Sequence, residues 1–290
     1  IQRWRPCFGL SYKRAMVLST LKSLTHKTKI MKFIKAYKPG IAILLFSGSV
    51  MVSCTKSFDE KFKEQDDFSN SSIMQVYVAT VNASRNFLWV DANRINGASL
   101  TSGSVFPTTG FGFNVGGGLR NFLVRDTLST STQVPYSFAE NLQAGKTYTL
   151  FMYDTITSPK QKTVATNIEV PTDSTARLRF ANFIYSPNAV PAFDIYSKKR
   201  NENIFTNVQV TEVTGFIPYA SAVTDTFYIR EAGTGVNLQN RNPTTGAMSD
   251  VIAVLTPTTK RSYTLIFRGG YRASSTTATT VRTLSVFVNR

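Results

Sequence analysis

From Ile73 to the last residue, apolar and polar positions alternate with a period of two. Val76, Val78 and Thr80 fall on one face of an extended segment. Phe87, Trp89 and Asp91 fall on one face of the next, with Leu88 and Val90 on the other. Tyr148–Tyr153, Leu178–Phe180, Phe227–Arg230, Tyr263–Phe267 and Leu284–Val288 repeat the pattern with aromatic and β-branched residues, the types that suit a pleated sheet. Turn-forming clusters separate these runs, among them Asn96-Gly97, Gly116-Gly117-Gly118 and Gly269-Gly270. No long helical period follows Ile73, so the pattern predicts short strands joined by turns.

The chain also repeats itself. Val76–Ser84 parallels Leu178–Ser186 at an offset of 102, Phe122–Asp126 parallels Phe227–Glu231 at 105, and Tyr148–Phe151 parallels Tyr263–Ile266 at 115. An insertion in the polar Gly233–Asp250 stretch accounts for the growing offset. The expected fold class is all-β: two tandem antiparallel β-sandwich modules, immunoglobulin- or transthyretin-like, at residues 73–171 and 172–290.

The segment before Ile73 has a different character. A basic stretch, Met31–Lys38, precedes an apolar run from Ile41 to Val52, then Ser53 and Cys54. The run is about a dozen residues, short of the roughly 20 that span a bilayer as a helix. The order of basic region, apolar region and small residue before a cysteine resembles a bacterial lipoprotein signal. Met51 stands where Leu is usual, and Ser53 meets the small-residue requirement. The resemblance implies a signal peptide at 31–53, cleavage before Cys54 and acylation of its sulfur. Residues 1–30 then read as an over-extended gene start, and residues 54–72, rich in charge and serine, as a flexible tether. Acidic residues soon after Cys54 resemble export signals of Bacteroidota lipoproteins. The expected location is the outer membrane, surface-exposed, with a periplasm-facing protein as the alternative.

Removal of the leader changes the electrostatic picture. The formal charge is +16, but ten of the 33 Lys and Arg precede Cys54 and none of the 17 acids does. The remainder carries 23 bases against 17 acids, a net of +6. That is an ordinary solubilising charge, without the clustered Lys/Arg and interleaved aromatics of a nucleic-acid surface. His26 and Cys7 leave with the leader, and Cys54 is committed to lipid. Histidine and thiol nucleophiles, imidazole or thiolate zinc sites and disulfides are thereby excluded from the body. No cofactor and no metal are expected.

One further resemblance rests on the start of the second copy. Arg179-Phe180-Ala181-Asn182, Ser186-Pro187-Asn188-Ala189, Ala192–Tyr196 and Phe216-Ile217-Pro218-Tyr219 with Ser221 resemble the module named domain of unknown function 4397. The first copy is a degraded version, with Trp89-Val90-Asp91 in place of Phe-Asp-Ile-Tyr. The resemblance implies a β-sandwich of a secreted or lipid-anchored envelope protein with no assigned activity.

Residues that stand out for ligand contact are Phe106, Phe111 and Phe113 in the glycine-rich Asn96–Asn121 stretch, and Asp91 with Asp194 as its counterpart. Their alternative roles are sandwich-edge packing and rim hydrogen bonding, and Trp89 reads as core. The function expected is a non-enzymatic, lipid-anchored display protein. Its partners are a membrane, through acyl chains on Cys54, and a glycan or envelope protein. A fimbrillin-like adhesive subunit and a carboxylate-pair glycosidase are the alternatives.

Overall fold

The protein is described by a computed structural model covering residues 68–290, other than 109, 110, 167 and 169. The leader, Cys54 and most of the tether lie outside the described residues. Past one 3-10 turn, Phe68–Asn70, the ordered elements are strands. The first nine are β1 (Ser71–Val78), β2 (Phe87–Val90), β3 (Asn93–Arg94), β4 (Val105–Phe106), β5 (Phe113–Gly116), β6 (Gly118–Arg125), β7 (Tyr136–Leu142), β8 (Thr147–Thr155) and β9 (Ser158–Ala165). There follow β10 (Ala176–Tyr185), β11 (Phe193–Ser197), β12 (Glu202–Val208), β13 (Ile217–Tyr219) and β14 (Asp225–Glu231). The last are β15 (Gln239–Arg241), β16 (Met248–Asp250), β17 (Ile252–Leu255), β18 (Ser262–Gly270) and β19 (Thr283–Val288). Among the described residues no helix is long and apolar enough to cross a membrane.

The fold is all-β, as the alternation predicts. One sheet runs β4-β1-β8-β9, with β5 also on β1, and faces a second, β3-β2-β6-β7. Met74, Val76, Leu150 and Met152 of the first meet Leu88, Val90, Phe122 and Val124 of the second. A third sheet, β13-β10-β18-β19, faces a fourth, β12-β11-β14-β17. Leu178, Phe180, Leu265 and Phe267 there meet Phe193, Ile195, Phe227 and Ile229.

Two expectations need correction. The sheets are not antiparallel throughout, because β1 pairs with β8, and β10 with β18, in parallel. A period of two marks a strand without marking its partner's direction. The chain between each parallel pair builds the facing sheet, a crossover long enough to bring it back in the same sense. The tether also ends earlier than expected: Ser71 and Ser72 are ladder residues of β1 opposite Gly116 and Val115. Strands also form within the glycine-rich and polar stretches: Asn96–Asn121 holds β4, β5 and the start of β6, and Gly233–Lys260 holds β15, β16 and β17.

The parallel pairs place equivalent residues. Tyr148 lies opposite Met74, and Tyr263 opposite Leu178. Met74, not Val76, therefore matches Leu178, a shift of two residues that leaves every side chain on the expected face.

The second face of these central strands is buried as well. Tyr77, Ala79 and Phe151 meet Ala181, Phe183, Ile266 and Phe287 in a separate apolar layer, a seam between the two sandwiches. Phe151 stacks on Phe183 with centroids 4.6 Å apart, and Tyr77 on Phe287 at 4.9 Å. Toward the start of β1 and β10 the seam turns polar. Gln75 donates to the Val288 carbonyl at 2.8 Å, and the Asn289 amide donates back to Gln75 at 3.0 Å. Burial on both faces explains why β8 and β10 are nearly continuous apolar runs.

Candidate functional site

The structure gives the five candidate contact residues separate and mostly structural places. Phe106 and Phe113 pack against the first core and against each other, with centroids 5.3 Å apart. Both face inward because β4 and β5 each pair with β1. Phe111 remains 48% exposed, with the Arg261 and Arg290 guanidinium groups 5.8 and 5.7 Å from its ring. It borders a hollow of about 180 Å³ with Ile73, Thr147 and Ile168.

Asp91 is not a strand residue. It sits in the turn after β2 with φ of 47° and accepts bonds from the Asn121 amide at 3.0 Å and Arg120 Nη1 at 2.9 Å. The Asn121 amide, and then Arg120, hold its carboxyl below the usual carboxylate range. Asp194 alternates with Phe193 and Ile195 along β11 and is buried. A bulge in the pairing of β11 with β12 brings the Asn207 amide to it at 2.7 Å, and the Asn203 amide group and Gly233 N–H also donate, at 3.0 and 3.3 Å. Asp91 is not its counterpart: Phe87 lies opposite Arg125 as Asp194 lies opposite Arg230. Asp194→Ala leaves those buried donors without an acceptor and is expected to lower the unfolding free energy by about 3 kcal/mol, read from urea melts.

Trp89 is a second correction. It lies half-buried on the outer face of its sheet, with Arg125 4.8 Å from its ring. Its register equivalent, Tyr196, carries Arg230 at 3.5 Å. The same arginine-on-aromatic pair stands at equivalent positions of both sandwiches and covers part of each outer face.

The two ends of β10 along the seam offer more chemistry. At its C-terminal end a cleft of about 370 Å³ lies between the β8–β9 hairpin, the Ser186–Val190 turn and the loop after β12. Tyr153 and Tyr185 supply rings, and Ser186, Asn188 and Gln209 supply donors and acceptors. Asp154 has φ of 70° at the hairpin and pairs with Lys160 at 2.8 Å. That carboxylate raises the Lys160 ammonium, and burial raises the Tyr153 phenol, so both stay protonated at neutral pH. The ion pair leaves the cleft without net charge. Phenol rings beside neutral hydrogen-bonding groups suit a polyhydroxylated ligand.

At the N-terminal end of β10, Arg179 is 2% exposed. Its Nε donates to Thr264 Oγ1 at 2.8 Å, Nη2 to Thr149 Oγ1 at 3.0 Å and Nη1 to Thr166 Oγ1 at 3.3 Å. The Phe216 ring lies 4.7 Å from its guanidinium carbon. Among the described residues no carboxylate pairs with it. Burial pulls it down to about 9, which leaves it cationic at neutral pH. In the sequence this group shows only as an arginine between Leu178 and Phe180, in a stretch that also holds Arg177.

No protein-family model matches the chain, and no curated protein matches its sequence.

Proposed function

We propose that this chain is a lipid-anchored protein of the bacterial envelope that presents two seam-joined β-sandwiches as a non-catalytic binding body. The cleft at the C-terminal end of β10 is its ligand face, and a glycan is the ligand class. The observation that carries this reading is the composition of that cleft: two tyrosines, four neutral polar residues and an internally neutralised ion pair, drawn from both sandwiches. Recognition on loops held by a rigid β scaffold is the usual arrangement for such bodies. Acylation of Cys54 supplies the anchor, since two or more chains hold a protein on a bilayer where one does not.

The contacts of β19 weigh against a fimbrial role by strand exchange. This strand pairs with β18 along its length, its Phe287 stacks on Tyr77, and the adjoining Asn289 is buried in the seam. Its departure would open the junction between the sandwiches.

The test is expression of the full chain in a Bacteroidota host, followed by membrane fractionation and mild surface proteolysis of whole cells. The native chain is expected in the membrane fraction, carrying the mass of acyl chains at Cys54, and cleaved from intact cells. Cys54→Ala is expected to leave that fraction. Equal membrane retention of the two would overturn the anchor. A native chain protected from protease would overturn surface display.

A further inference from the structure

We propose that the N-terminal end of β10 carries a separate oxyanion site, for a carboxylate or sulfate borne on a ligand of about sugar size. The cavity there measures about 530 Å³, within the range of small-molecule sites. Its lining includes Arg179, Arg177 and Ser262 at the strand starts, and Thr166, Thr214 and Phe216.

The argument begins with an imbalance of charge. A guanidinium offers five N–H groups and no acceptor. Three of those of Arg179 go to threonine hydroxyls, which orient the group without neutralising it. Among the described residues no acceptor takes the two remaining N–H groups, one on each Nη. A buried cation is costly unless an anion or a dense set of acceptors accompanies it. Arg177, half-buried, adds a second positive charge to the same cavity, and its acid, Asp173, lies 3.6 Å away with its side chain 50% exposed.

The threonine frame holds the plane of the guanidinium fixed before any ligand arrives. Thr264 is itself tied to Asn289, and Thr149 and Thr166 share a bond of 2.9 Å. A fixed fork with two free N–H groups matches a carboxylate or sulfate edge. Phe216 gives one apolar wall, which favours an anion carried on a small ring over a bare hydrated ion. The equivalent place in the first sandwich is held by Gln75, which is occupied by Asn289 and Val288, so the site belongs to the second sandwich alone.

The site is independent of membrane anchoring and of the cleft at the other end of β10, and its test keeps the three apart. Full-length protein is titrated with glucuronate, glucose, acetate, sulfate and phosphate in low-chloride buffer, with binding read by calorimetry and by thermal shift. Glucuronate is expected to bind at millimolar or tighter affinity, with glucose at least tenfold weaker. Arg177→Gln, a variant at the mouth, is expected to weaken glucuronate at least fivefold, and Arg179→Lys, which keeps the charge and loses the fork, at least tenfold. Glucuronate tighter than acetate and sulfate assigns a sugar-borne anion. Equal affinities assign a free oxyanion, and either result supports the site. Absence of stabilisation by every anion, or equal affinity in the native chain and both variants, would overturn it.

Discussion

Phe183→Ala, a change in the second sandwich, is expected to destabilise the first. Phe183 is 1% exposed and stacks on Phe151 of β8, with Tyr153 also within ring contact at 5.2 Å. Truncating a fully buried phenylalanine costs about 3–5 kcal/mol, the sum of lost transfer energy and the cavity left behind. Here the cavity opens between the two sandwiches, so both lose contacts. Trp89 gives a probe confined to the first sandwich once Trp4, the other tryptophan, is replaced by Phe. In that background the native chain is expected to show one urea transition, with Trp89 fluorescence and loss of amide protection in β18 coinciding. Phe183→Ala should move both to lower urea together. If Trp89 keeps its midpoint while β18 alone loses protection, the seam contributes nothing to the first sandwich and the picture of one welded body fails.

The seam also shows where reading a sequence stops. Strands were legible because aromatic and β-branched residues crowd β8, β10, β14 and β18, and each of the five apolar runs singled out from Tyr148 onward lies in a strand. Their partners were not legible. Tyr77, Phe151 and Phe183 look the same in sequence as Met74, Leu150 and Phe180, yet the first three face the neighbouring sandwich and the others their own core. Alternation separates two faces without saying what covers each. The candidate contact residues failed for a related reason. Phe106 and Phe113 sit among glycines and read as displayed, but two short strands pair with β1 and turn them inward. Alternation sets Asp194 on the face opposite Phe193 and Ile195, while its burial depends on a bulge opposite that no local pattern announces. Several of the residues that resemble a known module serve the framework. Asn182 binds the Val208 carbonyl and the Ile184 amide, the Ser186 hydroxyl accepts from Asn188, and Tyr219 reaches a buried carboxylate.

That carboxylate belongs to Asp225, and its removal is expected to cost the second sandwich about 4 kcal/mol. Asp225 is 3% exposed and accepts four bonds: from the Tyr219 and Ser197 hydroxyls, and from the backbone amides of Lys199 and Thr226 at 2.8 and 2.7 Å. The cluster ties the β11–β12 turn and the start of β14 to Tyr219, at the end of β13. Asp225→Ala leaves four buried or half-buried donors without an acceptor, and bonds to a charged group are individually worth about 1.5–3 kcal/mol before overlap is discounted. The same cluster sets an alkaline limit. Burial, and then the bond to Asp225, hold the Tyr219 phenol well above its ordinary value. A group raised in the folded state gives its full stabilisation below the unfolded pKa, about 10 for tyrosine, and loses it as the pH climbs past that point. Above pH 10 the native chain should lose about 1.4 kcal/mol per pH unit more than Tyr219→Phe, which has no phenol to ionise. Urea melts at pH 8, 10 and 11 measure both effects. A loss below about 1 kcal/mol in Asp225→Ala, or parallel alkaline slopes for the native chain and Tyr219→Phe, would show that the four bonds are not made as described, because a proton held only in the folded state must appear in the pH dependence of unfolding.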